Sequence, residues 1–193
     1  MNTDRLYQHG TLAMLVPGLF AGTQKIEELL QHGNTGIGTL TGLDGELVII
    51  DSKVYQVNAQ GAVREVGSEE EVPFANVHYQ ADKSVGKLQG LDLSGFQKTV
   101  LERLQTANLF AAVRVEGRFT QMHTRAVLPQ QPPYPTLTET ASGQKEFNAE
   151  NIKGTLIGYY SPDLYAGAVS PGFHLHFLDA DHHMGGHILG FEL

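Results

Sequence analysis

The stretch that most constrains this chain is 171–189, which holds five of its nine histidines. Side chains alternate faces along a strand, so His174 and His176 point the same way while the apolar residues around them can point to a core. A polar turn with Asp179, Asp181, His182 and His183 follows, and Gly185 and Gly186 then lead into an apolar run headed by His187. An antiparallel return places His187 opposite the first two histidines. Three neutral imidazoles converging on one point, with no fourth ligand nearby, make the pattern of a catalytic zinc site that keeps a position open for water or substrate. Two alternating histidines alone are more often a surface or hydrogen-bonded pair, and it is the third behind the glycine pair that turns the reading to metal. His182 and His183, on the polar turn, are expected to face solvent or a carboxylate.

At 193 residues the chain makes one large domain or two small lobes around a shared core. A net charge of -8 with no basic cluster argues against a nucleic-acid partner. Cysteine is absent, so a metal must be held by imidazole and carboxylate, which suits zinc and its first-row neighbours. The apolar segment 12–21 resembles part of a signal peptide, but it follows Asp4 and Arg5 and is broken by Pro17 and Gly18. No run is long enough to span a bilayer. The expectation is a cytoplasmic protein with no membrane partner.

Periodicity predicts a fold of the α+β class, two β-rich lobes of mixed or antiparallel sheet with a few short helices. Thr23 is expected to cap a helix carrying Ile26, Leu29 and Leu30, with Gly33 as its stop. An antiparallel meander then runs through 36–66 with a turn at Leu43, Asp44 and Gly45, the acidic run 69–71 is a solvated loop, and 74–80 is a further strand. Ser94 is expected to cap a second helix carrying Phe96, Val100, Leu101 and Leu104. Two strands, 110–115 and 118–127, precede a proline-rich crossing at 129–135. The boundary is drawn there: 1–128 forms an N-terminal lobe with two packing helices, and 129–193 a C-terminal lobe whose strands, 152–160 among them, carry the metal site.

Several motifs in this order resemble the α-acetolactate decarboxylase family over nearly the whole chain. They are 36–39 with 43–46, 124–127 running into 131–134, 154–160, and above all the histidine segment with Gly185, Gly186 and His187. The resemblance implies a zinc-dependent enzyme of two β-rich lobes, usually dimeric, that converts 2-acetolactate, a 2-hydroxy-3-keto acid, to (R)-acetoin and carbon dioxide. It implies zinc on His174, His176 and His187, with Glu46, Arg125 and Thr39 lining the substrate site. Members continue well past Leu193, and their tail brings a further carboxylate to the zinc, so the expectation is a shortened chain in which Glu46 alone serves proton delivery.

The chemistry of these residue types agrees. Losing carbon dioxide from acetolactate leaves electrons that must go onto the ketone oxygen as an enediolate, and a metal that takes both substrate oxygens stabilises that charge without thiamine or a Schiff base. Arg125 suits a carboxylate or the enediolate, and Glu46 can coordinate, act as a base or deliver a proton. On pattern alone Glu46 is a hairpin corner, Arg125 a surface pair and Thr39 an ordinary strand residue. Two alternatives stand beside this reading. A cupin-like dioxygenase or isomerase would add a carboxylate downstream of the histidine pair, for which Asp179 and Asp181 are the candidates, and a non-catalytic metal-binding module would close the coordination sphere without Arg125 and Glu46.

Overall fold

The structure is a computed structural model that describes residues 3–81 and 84–193. Its first half holds β1 (Leu6–His9), α1 (Leu12–Leu15), β2 (Gln24–Lys25), α2 (Ile26–Leu29), β3 (Thr35–Leu40), β4 (Asp44–Ile50), β5 (Lys53–Val57), β6 (Val63–Glu65), β7 (Glu71–Val72) and β8 (Phe74–His78). The second half holds α3 (Leu93–Leu104), β9 (Ala111–Ala126), α4 (Leu137–Ala141), β10 (Lys145–Ser161), β11 (Gly172–Asp179) and β12 (Gly185–Glu192). Six strands form one sheet in the order β1-β8-β3-β4-β5-β6, β2 pairs with β7, and β10-β11-β12-β9 close into a barrel. Every ladder between these strands is antiparallel. The fold is β-rich with a few short helices, as the periodicity predicts.

The continuous apolar run of β4 shows why the two sheets stack. A strand covered on one face alternates apolar and polar residues, whereas one covered on both is apolar throughout. Leu47 and Ile49 pack on one face with Ile26 and Leu29 of α2. Val48, on the other, meets Ile157, Tyr159 and Leu178 of the barrel. Inside the barrel Phe119, Met122, Leu156, Leu175, Phe177, Ile188 and Phe191 cluster with Phe96 of α3. The seam between sheet and barrel wall is therefore where β4 faces β11 and β12.

Local signals were displaced where long-range pairing competes with them. The α2 cap is Lys25, with no side-chain bond, because Thr23 lies beside the β2–β7 ribbon and gives its N–H to Val72. The α3 cap is Asp92, whose carboxylate accepts the Gly95 N–H at 2.7 Å, so Ser94 falls inside the first turn. Glu70 of the acidic loop takes a two-pronged bond from Arg64. The strands expected at 110–115 and 118–127 are one 16-residue strand, because β10 runs alongside it from Ala111 to Ala126. That pairing puts β9 in the barrel, upstream of the 128/129 boundary, and the change of sheet falls between His78 and Ala111. The proline-rich stretch lies back on the first sheet's turn, where the Gln130 N–H donates to the Gly42 carbonyl at 2.7 Å. Among the described residues no helix is long and apolar enough to cross a membrane.

Candidate metal centre

Strand alternation and register build the centre. His174 and His176 project from one face of β11, and His187 of β12 is paired directly with His176. Arg125 of β9 is in turn paired with His187, so three adjacent barrel strands present a row of nitrogen groups toward the first sheet. Ligand nitrogens of the three histidines lie within 4.8 Å of one another, the one grouping of metal-capable side chains among the described residues. His176 is fully buried, and the other two are partly accessible.

The protonation states follow from the partners. The His176 Nδ1–H donates to the Leu47 carbonyl at 2.7 Å, and since a carbonyl only accepts, Nε2 is left as a bare lone pair. That Nε2 stands 3.2 Å from His174 Nε2. Two nitrogens bound to one zinc at a tetrahedral angle lie roughly 3.3–3.4 Å apart. His187 Nδ1 is buried with no hydrogen-bond partner among the described residues. Burial, then the nearby Arg125 charge, lowers the His174 pKa to about 4. Burial, then His174, pushes His176 and His187 well below the ordinary imidazole value. Neutral imidazoles are the form that binds a cation, so the donor set fits a metal ion.

Glu46 comes from the opposing sheet, placed by a bent strand start. Gly45 has φ +71°, and a side chain there would strike the Val57 carbonyl, so glycine is required. The Thr39 hydroxyl donates to the Gly45 carbonyl at 2.8 Å, and Gln56 Nε2 to the Asp44 carbonyl at 2.7 Å. Held this way, Glu46 places Oε1 3.2 Å from Arg125 Nη1 and Oε2 3.4 Å from His176 Nε2. Burial raises its pKa to about 7 against the opposing pull of Arg125. A buried carboxyl near neutrality, a permanent cation and three neutral imidazoles thus meet at one seam.

Of the residues expected from the sequence, the structure brings together His174, His176, His187, Glu46 and Arg125, and joins Thr39 to them through Gly45. His182 and His183 stay on the exposed turn, His182 against the Tyr55 ring. Asp179 accepts the backbone N–H groups of Asp181, His183 and Met184, so its carboxylate holds the hairpin turn rather than joining the three histidines as a cupin-like site would require. Sequence reasoning missed the Leu47 carbonyl that orients His176, because a backbone acceptor 129 positions away leaves no local signal.

The chain is similar to known proteins over nearly its whole length. The family model described as alpha-acetolactate decarboxylase matches residues 6–193. An alpha-acetolactate decarboxylase of Methanosarcina mazei is 37% identical, covering 99% of this chain and 67% of its own length. A crystal structure of a Staphylococcus aureus protein of unknown function, similar to alpha-acetolactate decarboxylase, is 41% identical with a TM-score of 0.95, covering 97% of this chain and 81% of that one. The alpha-acetolactate decarboxylase of Bacillus subtilis strain 168 is 32% identical with a TM-score of 0.94 over the same shares.

Proposed function

This chain belongs to the alpha-acetolactate decarboxylase family, and we propose that it converts 2-acetolactate to (R)-acetoin and carbon dioxide at a zinc ion held by His174, His176 and His187. The observation that carries the reading is the seam itself: a three-imidazole donor set with Glu46 and Arg125 against it. A divalent ion held by His174, His176 and His187 would supply Lewis-acid stabilisation of the charge developing on the substrate, and zinc suits an imidazole donor set.

The chain's own residues do the rest. Arg125 offers a planar, permanently charged fork to the substrate carboxylate or to the charge left when it departs. Breaking the bond to carbon dioxide sends an electron pair toward the ketone oxygen, and the carbon must then take a proton. Glu46, with a pKa raised to about 7, can hold that proton near neutral pH and give it up from one face, which favours a single enantiomer. Thr39 keeps the Gly45 turn, and with it Glu46, against the seam. The homodimer that the resemblance implies and the cytoplasmic setting expected from the segment 12–21 belong to the same proposal. Incubation of the purified protein with racemic 2-acetolactate, followed by chiral analysis of acetoin, tests it: (R)-acetoin in excess over the spontaneous background supports the reading, and an excess of the other enantiomer or a rate equal to that background overturns it.

A further inference from the structure

We propose that Thr124 is a positioning residue for the metal centre, its hydroxyl fixing the hairpin that carries His187 against the strand that carries Arg125. Thr124 is fully buried, and Oγ1 donates to the Gly185 carbonyl at 2.7 Å, two residues before His187. Its register partner on β12 is Ile188, one residue after His187. One residue therefore brackets the ligand from both sides.

The ladders that hold the hairpin are short or irregular at that point. β11 and β12 pair only at His176–His187, Phe177–Gly186 and Leu178–Gly185, and the β12–β9 register shifts between Ile188 and Gly190. Gly186 has φ +122°, and a methyl there would lie 2.5 Å from the Arg125 carbonyl oxygen, so the chain passes tight against β9 without a side chain to lock it. Asp179 ties the turn at His183 and Met184, and Thr124 ties it at Gly185. The His187–Arg125 ladder pair lies between the two points that Thr124 holds, Gly185 through its hydroxyl and Ile188 through register.

The inference rests on the metal reading, and the test separates the two. Metal-free wild type, Thr124→Val and Thr124→Ser are titrated with cobalt(II), reading affinity and the d–d absorption bands. Thr124→Val keeps the shape and removes the hydroxyl; it is expected to bind cobalt about tenfold or more weakly, with altered bands, as loss of a group that orients a ligand typically does. Thr124→Ser keeps the hydroxyl and is expected to match wild type. A Val variant with wild-type affinity and bands, whatever its melting temperature, overturns the inference alone, because a threonine that merely satisfied a buried carbonyl would move stability only. A wild type that binds no cobalt overturns the metal reading and this inference with it. Should Thr124→Val not fold, Thr124→Ala against Thr124→Ser makes the same comparison, and equal cobalt affinity in those two overturns the role.

Discussion

His187 and Arg125 stand directly opposite one another across the β12–β9 ladder, so one candidate ligand and the permanent cation of the site share a face of the barrel. Directly opposed residues of an antiparallel pair have Cβ atoms about 4.5–5.5 Å apart. Burial and then His174 lower the His187 pKa, and the Arg125 charge adds to them, so the pairing favours the neutral imidazole. Backbone register thus fixes the candidate ligand and the site's cation relative to one another.

Removing the buried histidine tests the donor set. His176→Ala is expected to lose bound metal and acetoin formation together, and to leave the Leu47 carbonyl without its donor at a cost of about 1–3 kcal/mol. Metal analysis and a denaturant melt read the two effects. A variant that keeps one metal per chain would contradict the assignment.

Arg125 and Glu46 separate binding from proton transfer. Arg125→Lys is expected to lower kcat/KM by roughly 10- to 100-fold, because an ammonium does not reproduce a charged fork. Glu46→Gln is expected to retain metal while lowering the rate by about 10²–10⁴-fold and eroding the enantiomeric excess of acetoin. Steady-state kinetics with chiral chromatography decides, and wild-type values in either variant reject its role.

The histidine hairpin was legible in the sequence because its signal is local. A period of two on β11, a short polar turn and two glycines specify the pairing of His176 with His187 within a dozen residues. The site's other half was not legible from pattern. Glu46 reaches Arg125 across 79 positions, and only stacking of the first sheet on the barrel brings them together. Before that contact is known, Gly45 and Glu46 read as any hairpin corner and Arg125 as any strand cation. Resemblance to a family pointed at them; alternation and spacing did not. The misplaced cap at Thr23 has the same origin, since the β2–β7 ribbon takes its backbone, whereas at Ser94 the competitor is local, Asp92 two residues earlier, whose carboxylate accepts the Gly95 N–H.

The seam also carries an acid sensitivity outside the centre. His78 of β8 lies 2.8 Å from the Tyr159 hydroxyl on β10, with Gln80 at its other nitrogen, and burial foremost, with the Arg114 charge also contributing, lowers its pKa from 6.5. The unfolded chain takes up a proton at this histidine below pH about 6.5 where the folded chain does not, so its contribution to stability falls as pH drops from there toward the folded pKa. His78→Gln removes this contribution. Urea midpoints are expected to drop more steeply between about pH 7 and 5 for wild type than for the variant. Parallel profiles would contradict the account.

The central claim is that three imidazoles hold a working metal, and the direct measurement is a zinc titration of metal-free protein with acetoin formation from 2-acetolactate followed at each addition. The account predicts negligible rate without metal and a linear rise that breaks at about one zinc per chain, as a single three-histidine site requires. Full acetoin production by protein verified free of metal, or a rate that ignores added zinc, would contradict it.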